Sequence, residues 1–159
     1  MPIRKKETGK EAAAVQATEV KQPAEVAQPA GIAQLASKGA EEARIHELVK
    51  LAYHALDDKK AENITVIDIS ALSVVADYFI IASGDNLRQT AALCEHVEET
   101  LGRAGFLCRQ TEGRQGASWI LMDYGDVIIH IFDKENRLFY DLERIWKDGH
   151  RVVDVDSLA

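Results

Sequence analysis

Four titratable side chains fall close together in the C-terminal third of the chain: Asp123, Asp126, His130 and Asp133. Carboxylates and an imidazole are the groups that bind a divalent ion or pass a proton, so this stretch is the sharpest chemical candidate in the sequence. Its setting argues against that use. Residues 116–132 read GASWILMDYGDVIIHIF, which predicts a β-hairpin with Tyr124-Gly125 at a two-residue turn, where glycine supplies the left-handed conformation. Asp123 and Asp126 then flank the turn, and His130 lies roughly 13 Å further along its strand at about 3.3 Å per residue. Asp133 stands where it can cap a following helix. Turn and cap roles account for the three carboxylates better than a metal or an acid–base pair does.

The other chemical candidates are weaker. Ser83-Gly84-Asp85, between a predicted strand and a predicted helix, is similar in outline to the Gly-Ser opening of nucleotidyltransferases. Those enzymes place two metal-binding carboxylates on the next strand. Here a helix follows Asp85, and no Asp-x-Asp strand comes after it. A metal-dependent nucleotidyltransferase using Asp68, Asp77 or Asp85 stays as the alternative reading. The glycine spacing fits neither a P-loop nor a dinucleotide fingerprint. Cys94 lies on an apolar helical stripe, and Cys94 and Cys108 read as small buried hydrophobes rather than a disulfide. His46, His54 and His96 fall on helices at no ligand spacing.

Alternation along the predicted hairpin sorts its side chains onto two faces. Ile120, Met122, Val127, Ile129 and Ile131 form a core face. Trp119, Leu121, Asp123, Asp126, Ile128, His130 and Phe132 share the other, with Trp119 placed opposite His130. A solvent face has no need of Trp, Leu, Ile and Phe, and a core face does not take two Asp and a His without partners. That second face therefore reads as a surface that meets something, with Trp119 as an anchor; the competing readings are plain cross-strand stabilisation of Trp119 by His130 and partial cover by the last helix.

The elements that must position this face follow from periodicity. Residues 1–39, without an aromatic, read as a disordered tail. A first amphipathic helix runs from about Ala40 to Lys60. Residues 63–69 and 77–83 are strands, the second apolar enough to be covered on both sides. Asn86, with Gln89 three residues on, or Asp85 as a rival cap, opens a second helix whose stripe is Thr90, Leu93, Cys94, Val97 and Leu101; Gly105 ends it. Residues 106–110 read as a short third strand before the hairpin. A last helix spans 134–147, with Leu138, Leu142 and Ile145 on one side. Residues 149–159 read as a short acidic tail. The order predicts an α/β (α+β) domain over 40–148, a five-stranded mixed sheet with packed helices.

Charge narrows the partner class. Of the net −7, residues 40–159 hold 13 Lys and Arg against 22 Asp and Glu. Such a domain is poorly suited to a nucleic-acid backbone and well suited to a basic protein. No apolar run approaches the ~20 residues that span a bilayer. The N-terminus lacks a signal core, so a cytoplasmic protein is expected.

A further set of residues resembles a known family. Ile67-Asp68-Ile69-Ser70, Ala76-Asp77-Tyr78-Phe79-Ile80-Ile81-Ala82-Ser83-Gly84 and Gln89 form one block. Glu112-Gly113, Trp119-Ile120-Leu121-Met122-Asp123-Tyr124-Gly125-Asp126-Val127, His130-Ile131-Phe132, Arg137-Leu138-Phe139-Tyr140-Asp141-Leu142-Glu143 and Trp146 form another. Over residues 42–147 the chain resembles the ribosomal silencing factors, also called Iojap-like proteins. Asp85 stands where that family often has a small hydroxyl residue.

The resemblance implies a nucleotidyltransferase-like fold without its catalytic carboxylates, no cofactor and no enzymatic activity. It implies binding to the large ribosomal subunit through ribosomal protein number fourteen, on the face that joins the small subunit. It also implies lowered translation when nutrients are short, and a link to large-subunit assembly. The residues expected at the partner are Trp119, Leu121, Asp123, Asp126, Ile128, His130, Phe132 and Tyr140.

Overall fold

The computed structural model describes residues 32–159. Its elements are α1 (Ile32–Asp58), β1 (Glu62–Asp68), β2 (Tyr78–Gly84), α2 (Leu87–Arg103), β3 (Gln110–Glu112), β4 (Trp119–Asp123), β5 (Val127–Asp133), α3 (Lys134–Tyr140), α4 (Leu142–Ile145), β6 (His150–Arg151) and a 3-10 turn at Val155–Ser157. The strands form one mixed sheet in the order β3-β4-β5-β2-β1-β6. β2 and β5 run parallel at its centre, and the other pairs are antiparallel.

Both faces of the sheet are covered. Ile80, Ala82, Ile120, Met122, Val127, Ile129 and Ile131 share a core with Leu48, Val49, Ala52 and Leu56 of α1 and Leu93, Cys94, Val97 and Leu101 of α2. Ile67, Ile81, Leu121, Ile128 and Phe132 form a second core on the opposite side, closed by Leu142 of α4. The two-face sorting of the hairpin holds in full. All five residues of the predicted α2 stripe are buried, and the Asn86 side chain caps the helix by accepting the Gln89 N–H at 2.8 Å. Gly105, at φ +92°, lets Phe106 N–H return to Leu101 O at 2.8 Å, the Schellman closure.

Several expectations need correction. The sheet has six strands rather than five. The sixth, His150–Arg151, pairs with Ile67 and Asp68 on the open edge of β1. Residues 149–159 are accordingly part of the domain, with Val155 buried against the α1 side. The third strand is Gln110–Glu112, not 106–110, because Phe106 is used to close α2 and the ladder to β4 opens only at Arg109 N–H, bonded to Asp123 O. The first helix begins at Ile32 instead of Ala40, with residues 35–44 exposed along it. Residues 1–31 of the expected tail lie outside the described residues.

The hairpin register is also offset by two. Trp119 pairs with Phe132, Leu121 with His130 and Asp123 with Ile128, and the turn residues are Gly125-Asp126. Gly125 alone has positive φ, +91°, as a type II′ turn needs at its first central position. An offset of two leaves every side chain on its predicted face, since the strand period is two. Finally, the last helix is broken. Asp141 takes a left-handed conformation (φ 48°, ψ 54°) that separates α3 from α4 and resets the stripe. Leu142 is buried, whereas Leu138 (80% exposed) and Ile145 (64%) face solvent.

Candidate functional site: an aromatic docking face

The non-core face of the hairpin carries a chain of stacked rings. Trp119 lies at the start of β4, and Phe132, directly across the ladder, stacks on it with centroids 4.9 Å apart. Tyr140, at the end of α3, packs over Trp119 at 4.5 Å. His130, on the diagonal from Trp119, accepts the indole Nε1–H on its Nδ1 at 3.1 Å. Phe79 of β2 meets the imidazole edge-on at 4.7 Å, and Trp146 meets Phe79 at 5.2 Å. This row crosses the sheet from β4 to β2, and the short helices α3 and α4 border it.

Burial sorts the eight expected partner residues into two groups. Leu121, Ile128, His130 and Phe132 are buried and form the bed on which the others rest. Trp119 and Tyr140 are half-buried at the surface. Asp123 is half-buried at the far end of β4, roughly 13 Å from Trp119 at about 3.3 Å per residue. Asp126 is exposed at the turn. The face therefore has an aromatic end and an acidic end. Phe139 (74% exposed) meets Tyr140 at 5.0 Å, and Leu138 and Ile145, expected on the stripe of a single last helix, are exposed on α3 and α4. The break at Asp141 separates Leu138 and Ile145 onto different helices, and Arg137–Leu142 contains no Gly or Pro that would announce it.

Electrostatics separate the titratable groups. Burial pushes the His130 imidazole down to about 3, so it is neutral. Its Nδ1 accepts from Trp119, which leaves the proton on Nε2, and that buried atom has no hydrogen-bond partner among the described residues. The Asp123 carboxylate accepts the Gly125 N–H at 2.8 Å, and Asp133 caps α3 by accepting the Asn136 N–H at 2.8 Å. The turn and cap roles expected of these carboxylates are thus present. At the acidic end the Asp77 carboxyl is raised by burial, then by Asp126, Asp68, Glu42 and Glu41.

The carboxylates of the alternative reading do not converge. Asp68 bonds to Ser70 at the end of β1. Asp77 and Asp85 bracket β2, roughly 26 Å apart at about 3.3 Å per residue. Asp85 is ion-paired with Lys134 at 2.7 Å, which lowers its pKa. Among the described residues no group of three or more His, Cys, Asp or Glu is placed to hold a metal ion. No described helix is long and apolar enough to cross a membrane.

Comparisons with known proteins bear on the same stretch of chain. A family model described as "Ribosomal silencing factor during starvation" matches residues 42–159. A ribosomal silencing factor of Halalkalibacterium halodurans is 37% identical over 106 residues, covering 67% of this chain and 91% of that protein. The Bacillus subtilis one is 39% identical over 109 residues, covering 69% and 92%. A mouse protein named "Mitochondrial assembly of ribosomal large subunit protein 1" is 29% identical over 96 residues, 57% of this chain and 41% of that one. A crystal structure from Chromobacterium violaceum superposes with a TM-score of 0.64 at 38% identity, covering 65% of this chain and 86% of the other. With most of its length matched by the family model and by relatives over nearly their whole length, the chain belongs to the ribosomal silencing factor family.

Proposed function

We propose that this chain is a non-enzymatic, cytoplasmic repressor of translation. It binds the large ribosomal subunit through ribosomal protein number fourteen and sterically blocks joining of the small subunit when nutrients are limiting. Its fold is taken to be nucleotidyltransferase-like, turned from catalysis to binding. The observation that carries this reading is the half-exposed Trp119–Tyr140 pair seated on a buried aromatic bed, with Phe139 and Leu138 beside it. Large rigid aromatics over a packed floor are the usual anchors of a protein interface. The acidic end, around Asp126, Asp123 and Asp77, supplies charge for a basic partner and sets the orientation of docking. Separated, capped and ion-paired carboxylates support binding over catalysis.

Leu121, Ile128, His130 and Phe132 serve in this reading as the support of the surface, and Trp119, Tyr140, Asp123 and Asp126 as its contacts. A role in large-subunit assembly is compatible with the same contact and is favoured by the name of the mouse relative. Calorimetric titration with isolated ribosomal protein number fourteen tests the partner. Binding that is lost in Trp119→Ala is the expected result; no heat from the parent chain contradicts the proposal. A titration with magnesium and nucleoside triphosphates tests the alternative, for which a saturable signal is required.

A further inference from the structure

The two helices that border the aromatic face are too short to hold themselves. α3 has seven residues and α4 four, well under the length at which an isolated helix is stable. Few of their residues are fully buried: Leu138, Phe139 and Ile145 face solvent, Tyr140 and Trp146 pack half-buried on the aromatic row, and the buried residues of the pair are Leu142 and, unusually, Arg137. The Arg137 guanidinium is a buried polar tie between these helices and the sheet, beside the exposed pairs of Lys134 with Glu62 and Asp85. Its Nε donates to Glu143 Oε2 of α4 at 3.0 Å. Its Nη1 donates to Ser83 Oγ of β2 at 3.0 Å, and its Nη2 to Asn63 O of β1 at 2.6 Å and to Thr65 Oγ1 at 3.3 Å. One side chain thus joins α3, α4, β1 and β2.

The receiving strand is shaped for that side chain. β1 shifts register against β2 between Glu62 and Thr65, and Asn63 sits there at φ +52°. A bulge of this kind takes a residue out of the ladder and re-aims its groups. Here it turns the Asn63 carbonyl to the guanidinium, while Ser83 Oγ, which donates to Glu62 O, accepts from Nη1. A planar fork with several donors satisfies three such acceptors and a carboxylate at once, which an ammonium cannot do.

We propose that Arg137 and Glu143 are positioning residues of the docking face: the ion pair, buried at Arg137 and half-buried at Glu143, fastens α3 and α4 to the β1 bulge and so fixes the pose of Phe139 and Tyr140 against Trp119. This rests on the docking reading given above. The pair does not touch the partner. Its effect on binding is exerted through the position of the residues that do.

The test uses the full chain and three variants: Arg137→Lys, the double variant Arg137→Met/Glu143→Leu, and Phe139→Ala as a contact control. The double variant leaves neither charge buried alone, which keeps the fold within reach, and Arg137→Lys keeps the charge but loses the fork. Backbone hydrogen exchange of residues 134–148 is read beside exchange of β2 and β5 and beside co-sedimentation with large subunits. The clamp predicts that both Arg137 variants exchange about tenfold faster over 134–148 while the central strands stay protected, and that both bind subunits more weakly. Phe139→Ala should weaken binding with exchange unchanged. Exchange over 134–148 as slow as in the parent overturns the clamp, as does parental binding by a variant whose helices exchange fast. If the parent chain itself fails to bind subunits, the docking reading falls, and the exchange arm alone still decides whether the clamp exists.

Discussion

Because burial holds His130 neutral in the folded chain, that residue makes stability depend on pH. Below its ordinary value of 6.5 the unfolded chain takes up a proton that the folded chain refuses down to about 3. Stability therefore rises with pH across that window, by up to about 1.4 kcal/mol per pH unit from this one group. Urea unfolding at a series of pH values should show a shallower slope in His130→Gln than in the parent; equal slopes contradict the assignment. Trp119→Ala belongs to the same scale. It should weaken large-subunit binding by on the order of 2 kcal/mol while the domain stays folded. Gly113 is constrained for a different reason. It has φ +81°, and a Cβ there would lie 2.0 Å from Trp119 O. Gly113→Ala should lower stability by roughly 1–3 kcal/mol in denaturant unfolding. At this scale the sequence was informative about identity and silent about exposure. Trp119 and His130 could be put on one face by alternation, though not in register, and only the packing of Phe79, Tyr140 and α4 shows that His130 is floor and Trp119 is surface.

Among the elements, those fixed by local chemistry were readable in advance. α2 announces itself through Asn86, Gln89 and a stripe at helical spacing, and Asn86→Ala should cost about 1 kcal/mol in thermal or urea unfolding through the lost cap. The faces of the hairpin were readable because a strand period of two survives a register offset of two. Elements fixed by distant partners were not readable. β6 is two residues long and exists because the edge of β1 accepts it at Ile67 and Asp68. β3 is displaced because Phe106 closes the preceding helix. The break at Asp141 is spanned by the tie from Arg137 to Glu143, residues six apart that no helical neighbour rule connects. The exposure of Leu138 and Ile145, expected on one stripe with the buried Leu142, was not readable without that break.

For the whole molecule, charge and shape act together. Asp77, Asp126, Asp68, Glu42 and Glu41 gather at one end, while the rings gather where α3 and α4 border the sheet. Association with a basic partner should accordingly slow as salt is raised, with the aromatic contacts setting the dissociation rate. Residues 35–44 of α1 lie exposed beyond the core, so a chain lacking residues 1–39 should keep its fold and its binding. The most direct measurement is gradient sedimentation of the chain with separated ribosomal subunits. The account predicts co-migration with the large subunit and not the small, together with suppressed joining when both are mixed. Migration at the top of the gradient, or free joining in the presence of bound protein, contradicts it.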